Sequence, residues 1–272
     1  MNASTVRYFG IEKAAVESSS IKRLGYRLLG EIHISGRIRL YHVLRAIASL
    51  GLPQCGVRML DAGTGRGDIA LHFSRLRPGW RVDGIEILQD RVDHCDAAAA
   101  TLGIDNVSFQ RGDLLELNAD AEYDLITNTD VLEHIEDDRR ALANLSRALK
   151  PGGHLILTFP SDPGRRHLRL LQWLERRRGV ARGVVGHVRE GYSPERVRIL
   201  LSEVGLEPIR IRWTYGFFGT LAHDIFFILG DSEINPLAFA LALPFLLTLT
   251  FIEGHTPTRH GSALLVVAAK PR

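Results

Sequence analysis

The sequence predicts an α/β fold, a doubly wound, seven-stranded and mostly parallel sheet with helices on both faces. Two observations lead there. From residue 57 onward, short apolar runs alternate with helical stretches, the pattern of strand–helix–strand crossovers. A glycine-rich turn, Asp61-Ala62-Gly63-Thr64-Gly65-Arg66-Gly67, stands between the first run and the first helix, where open sheets carry their ligands. Composition agrees. A chain of 272 residues, 45% hydrophobic and 24% charged, can bury a core without disulfides or metal. That excludes wholesale disorder and a polytopic membrane protein.

Each element follows in order. Ile21, Leu24, Leu28 and Ile32 fall at helical spacing, as do Ile38, Tyr41, Leu44, Arg45 and Ala48, so residues 1–56 read as a helical cap closed by Gly51-Leu52-Pro53. The first strand covers 57–61, and a helix follows the glycine turn through residue 73. Strand two covers 81–86, an alanine-rich helix 90–102, strand three 107–110, strand four 123–127 and a helix about 137–149. Pro151-Gly152-Gly153 reads as a turn into strand five, 154–159. Ser193-Pro194-Glu195 starts a helix, with Ser as N-cap, Pro at the first helical position and Glu near the positive end of the dipole. That helix ends at Gly205. Strands six and seven cover 208–215 and 262–269. Insertions at about 161–192 and 216–261 remain, and loops that long are usually functional or substrate-covering.

Two cysteines, Cys55 and Cys95, lie far apart with no Cys/His zinc spacing, which suits a reducing cytoplasm. Residues 1–10 show no apolar core of a signal peptide. Nineteen uncharged residues, 234–252, lie between Glu233 and Glu253. Pro236, Pro244 and the acidic flanks favour a buried or interfacial helix over a span. Residues 165–182 hold seven arginines and one acid, Glu175. They form either a solvated helix packed on the domain or a basic amphipathic helix at a membrane surface. The expected location is the cytoplasm, with peripheral contact at the inner membrane face through 216–261 and 165–182. The net charge of +3 comes with no basic stripe interleaved with aromatics, so nucleic acid is disfavoured.

The glycine turn has Asp68 where a dinucleotide fingerprint has its third glycine, which disfavours a nicotinamide oxidoreductase. An acid two residues before the first glycine suits a cationic ligand and opposes a pyrophosphate. The turn resembles the first motif of class I S-adenosylmethionine-dependent methyltransferases, and the resemblance continues in order. Glu86 ends strand two. Gly112-Asp113-Leu114 follows strand three, and Tyr123-Asp124-Leu125-Ile126 opens strand four. Asp130-Val131-Leu132-Glu133-His134-Ile135 comes next, then Leu149-Lys150-Pro151-Gly152-Gly153. It implies a Rossmann-like methyltransferase fold over 57–272 with an antiparallel last strand and an N-terminal helical lid. It implies S-adenosyl-L-methionine as cofactor, held by Asp61, Gly63, Thr64, Gly65, Gly67, Glu86, Ile87, Asp113, Leu114 and Asn128. Glu86 would hold the ribose hydroxyls and Asp113 the adenine amino group.

The segment from Asp130 to His134 is similar to that of ubiquinone-type O-methyltransferases. The resemblance offers a divalent metal on Asp130, Glu133 and His134, although metal is not expected. His134 and His187 are the candidate bases, since imidazole titrates near neutrality. His33, Arg37, Tyr41 and Tyr192 are candidate substrate contacts. The apolar insertions imply a lipophilic small-molecule acceptor such as a quinone, polyketide, isoprenoid or lipid, methylated at oxygen or carbon. A homodimer is left open, and a non-catalytic cofactor-binding scaffold or membrane-surface interaction protein is the alternative.

Overall fold

Strand β1 (Cys55–Ala62) buries Met59 and Leu60 alike. Successive residues point to opposite faces of a strand, so both faces of the sheet must be covered. The computed structural model describes residues 10–162, 187–229 and 236–272, and in it helices lie on both faces. The further strands are β2 (Gly79–Glu86), β3 (Val107–Arg111), β4 (Tyr123–Thr129), β5 (Leu149–Pro160), β6 (Glu207–Thr214) and β7 (Ala263–Ala269). The sheet has seven strands in the order β3-β2-β1-β4-β5-β7-β6. β7 runs antiparallel to both β5 and β6, and the other pairings are parallel. The order reverses between β1 and β4, which opens a crevice beyond their carboxyl ends.

The helices are α1 (Ile11–Val16), α2 (Ser20–Leu29), α3 (Ile34–Ser49), α4 (Asp68–Leu76), α5 (Gln89–Leu102), α6 (Asp138–Ala148), α7 (Pro194–Glu203), α8 (Phe217–Leu229) and α9 (Pro236–His255). Their ends follow local chemistry. Ser193 accepts from the Arg196 amide ahead of Pro194, and Asp137 caps α6 by accepting from the Arg140 amide at 3.0 Å. Gly103 ends α5 in the left-handed region at φ 63°.

The structure adds detail to three of these readings. Pro151-Gly152-Gly153 does not separate a helix from a strand. β5 starts at Leu149, pairs with Tyr123, shifts register, and pairs again at His154 with Leu125. The extra residues form an irregularity in the strand, with Gly152 at φ 80°. α9 runs through Pro244 as one helix. By length and composition it could cross a membrane, yet Phe239, Leu246 and Leu249 pack in a cluster with Ile34 and Ile38 of α3 and Ala222 and Phe226 of α8. α2 exposes Ile21, Leu24 and Leu28, the residues whose spacing predicted it. The basic stretch 165–182 lies outside the described residues.

Ion pairs fasten the N-terminal segment to the sheet domain. Glu12 of α1, 3% exposed, takes Arg75 of α4 at 2.8 Å. Lys13 pairs with buried Glu31 and, at 3.1 Å, with Asp68. Those two carboxylates more than offset the burial that opposes the Lys13 charge, so its pKa is raised.

Candidate active site

A cavity of about 550 Å³ opens at the crevice where the strand order reverses. Asp61, Gly63, Thr64, Gly65, Glu86, Ile87, Asp113 and Leu114 line it, drawn from the ends of β1, β2 and β3. The loop after β1 is folded onto β2 by bonds from the Gly63 and Thr64 amides to the Ile85 carbonyl at 2.8 and 2.9 Å. Gly63, Gly65 and Gly67 take φ of 76°, 59° and 79°, a region that side chains penalise. At Gly63 a Cβ would also lie 2.5 Å from Val131. At Gly65 it would meet nothing within 4 Å, so that position gives a ligand direct access to backbone.

Three carboxylates surround this loop. Asp61 is 1% exposed and accepts from the Thr64 and Thr127 hydroxyls at 2.7 and 2.8 Å. Burial raises its pKa to about 6, with the hydroxyl bonds holding it back. Glu86 accepts from the Gly65 amide at 2.9 Å and the Leu88 amide at 3.2 Å, so it ties the end of β2 to the glycine loop. Asp113 accepts from the Leu115 amide at 2.9 Å and so turns the chain after β3.

Two of the ten cofactor candidates lie off the cavity lining. Gly67 is the N-cap of α4, and a Cβ there would come 3.0 Å from Cys95 and Leu71; its role is packing. Asn128 is fully buried and donates to the Ala62 carbonyl at 2.9 Å. Its neighbour Thr129, on the opposite pleat, lines the cavity instead.

The four substrate candidates also sit elsewhere. α3 presents Gly36, Arg39 and Leu40 to the cavity, which turns His33, Arg37 and Tyr41 onto other faces of the helix. His33 caps α3 and meets Phe226 edge-on at 4.8 Å between centroids. Arg37 donates to the Leu29 and Glu31 carbonyls. The Tyr41 hydroxyl reaches His255 at 3.4 Å. Tyr192 is 2% exposed, with its hydroxyl donating to Asp138 at 2.9 Å and accepting from Arg189; it is a core residue. No residue of 216–261 lines the cavity among the described residues.

Beyond β4 the candidate metal ligands separate. Asp130, at φ 53°, accepts from the Thr158 hydroxyl at 2.9 Å and pairs with Arg39 Nε at 3.1 Å. Its two oxygens are committed away from Glu133 and His134. Glu133, His134 and His187 instead bring one ligand atom each within 4.8 Å, a carboxylate and two imidazoles that would suit a first-row transition ion. Glu133 is fully buried, and neither carboxylate oxygen has a hydrogen-bond partner among the described residues. Burial, then the Asp130 charge, raises its pKa to about 8. The Val188 amide donates to the Glu133 carbonyl and brings His187 Nε2 to 3.9 Å from Glu133. His134 lines the cavity and meets the His187 ring edge-on at 4.5 Å. Burial, then the proximity of His134, lowers the His187 pKa.

Arg39 is the cavity residue that sequence reading missed. Burial opposes its charge, but Asp130 and then Tyr215 outweigh that and raise its pKa. The Tyr215 hydroxyl donates to the Ser35 carbonyl at 2.6 Å, so α3 and the end of β6 are joined beside the cavity. An arginine two residues after Arg37, with no acid on the same helix, was the available signal.

Comparison with known proteins gives this arrangement a context. Residues 54–185 match a family described as "Methyltransferase domain". The 27-O-demethylrifamycin SV methyltransferase of Amycolatopsis mediterranei is 32% identical over 57% of this chain and 56% of its own. The ubiquinone biosynthesis O-methyltransferase of Rickettsia bellii is 30% identical over 47% of this chain and 52% of its own. The chain thus spans about half the length of the curated relatives it matches. Among solved structures, the [4+2]-cyclase SpnF superposes with a TM-score of 0.58 at 22% identity, covering 87% of this chain and 82% of that one. That likeness is one of fold.

Proposed function

With residues 54–185 belonging to the class I S-adenosylmethionine-dependent methyltransferase family, we infer that the protein moves the methyl group of S-adenosylmethionine to a lipophilic small molecule. The observation that carries this reading is the convergence of Asp61, Glu86 and Asp113 around a glycine loop at the cavity. Each acid matches a different part of the cofactor: Asp61 its cationic amino-acid end, Glu86 the ribose hydroxyls, Asp113 the adenine amino group. Arg39, half-buried and paired with Asp130, is the cation suited to the cofactor's carboxylate. Bound S-adenosylmethionine supplies a sulfonium whose methyl is already electrophilic. The protein's task is therefore alignment and exclusion of water, with Val131 and Ile135 as apolar wall.

For a hydroxyl acceptor, His134 or His187 takes the proton as the oxygen attacks the methyl carbon. The cofactor, when bound, would supply that methyl carbon and keep the C–S electron pair on its sulfur. Glu133 lies behind His187, 3.9 Å from its Nε2; with a pKa of about 8 it is protonated at neutral pH and would favour an imidazolium there only after losing that proton. A quinone-like acceptor is supported by the name of a curated relative, a ubiquinone biosynthesis O-methyltransferase.

Glu86→Ala should weaken cofactor binding by about 1.5–3 kcal/mol, the worth of charge-assisted bonds to two hydroxyls. Glu86→Gln keeps a side-chain oxygen for the Gly65 amide and should weaken it less. Calorimetry on folded variants checks this, and unchanged affinity in Glu86→Ala would overturn the assignment. Incubating the protein with S-adenosylmethionine and a lipid extract should give a product heavier by one methylene. Binding without any such product would favour the scaffold reading.

A further inference from the structure

We propose that α2 and the outer face of α9 form a docking surface for an anionic lipid bilayer. The proposal stands on the surface alone and does not depend on which acceptor the cavity takes.

α2 is packed inside out. Ile21, Leu24 and Leu28 lie on one side of the helix and are 86%, 56% and 63% exposed, while Lys22, Arg23 and Tyr26 are the half-buried ones. A surface helix that packs on its own protein does the reverse. The Arg23 guanidinium is held against the protein by the Glu17 carbonyl at 2.7 Å, so the orientation is fixed by polar bonds on the inner side. On α9, Leu237, Leu241 and Phe245 follow at intervals of four residues and are 70%, 76% and 55% exposed, opposite the face that packs on α3 and α8.

Contacts link the end of α2 and the inner side of α9 to the start of α3. Arg37 of α3 donates to the Leu29 carbonyl at the end of α2. His33, at the start of α3, touches Phe226 of α8, which touches Phe239 of α9 at 5.8 Å. The start of α3 is thus the hub, and the next two turns of that helix line the cavity.

Charge selects the occupant. α2 carries Lys22, Arg23 and Arg27 and no acid. Of these, Arg27 is the cation exposed beside the leucines; two copies facing each other across a two-fold axis would oppose their Arg27 charges, whereas an anionic headgroup would pair with each. α9 carries no Lys or Arg, which leaves it the apolar share of the contact. Leucines and basic residues on one helix are the ordinary composition of an element lying in the interface plane.

The test is sedimentation of the full chain with vesicles of phosphatidylcholine alone or mixed with phosphatidylglycerol. The wild-type chain should pellet with the mixed vesicles. Leu24→Glu/Leu28→Glu should lower partitioning more than about tenfold. Removing the Arg27 charge as Arg27→Gln should lower it about fivefold. Ile199→Glu on α7, also an exposed apolar site, should change nothing. Unchanged thermal midpoints would show that the variants fold. If the double variant does not, slowed hydrogen exchange of the α2 amides of the wild-type chain on adding mixed vesicles carries the test. A wild-type chain left in the supernatant, a folded double variant that pellets as well as wild type, α2 amides unaffected by vesicles, or a wild-type dimer that the double variant converts to monomer would each overturn the proposal.

Discussion

Asp61 holds its charge at a cost that the ligand removes. Its pKa of about 6 stands above that of an unfolded aspartate, so the folded state binds the proton more tightly. The unliganded protein should therefore gain stability from this group as pH falls through about 6 toward the unfolded value, and lose it as pH rises. Affinity for a cationic ligand should move the other way. It is full above about 6 and falls roughly tenfold per unit below, because a proton must leave Asp61 on binding. Thermal melts and calorimetry across that window check both signs, and Asp61→Asn should flatten them. For the candidate bases, His187→Ala should leave cofactor affinity intact and lower the rate ~10²–10⁴ if the acceptor loses a proton. Equal rates for wild type, His134→Ala and His187→Ala at every pH would mean that alignment alone drives the reaction. These residues were legible because each recurs at a fixed place relative to a strand end. His33, Arg37 and Tyr41 were misplaced because apolar residues lie all around α3, which leaves the sequence without a sign of which face meets the cavity.

At the level of elements, the glycine loop is the most constrained piece. Gly63→Ala adds a Cβ against Val131 at 2.5 Å and a side chain at φ 76°. Destabilisation of about 1–3 kcal/mol is expected from strain and overpacking. Val131→Ala in the same chain should recover the clash portion and leave the backbone portion, a non-additivity that a double-mutant cycle in urea would measure. α9 tests a different idea. Leu246 is fully buried between α3 and α8, so Leu246→Ala should cost about 2–5 kcal/mol. Deleting 234–252 should disturb the placement of α3 and with it Arg39, so cofactor binding should fall together with acceptor use. Strand and helix order was legible because fully buried strands read as apolar runs between turn residues. The inverted packing of α2 was not, since periodicity reveals an amphipathic helix without revealing which side faces the protein.

At the scale of the whole molecule, the order of the strands has a consequence for how the chain must be made. β7 lies between β5 and β6, although it is the last of the three to leave the ribosome. Until Ala263–Ala269 emerges, β6 has no strand to pair with and β5 keeps a bare edge on its outer side. Both are open to pairing with another chain. The catalytic crevice, by contrast, is complete once α9 has packed on α3, because its lining ends at Ile135 and α9 precedes β7. Synthesis therefore passes through a stage in which a cofactor can bind a half that is not yet protected from aggregation. Chains stalled before residue 263 should be sticky yet ligand-stabilised, and a high concentration of S-adenosylmethionine during translation should raise the yield of full-length soluble protein.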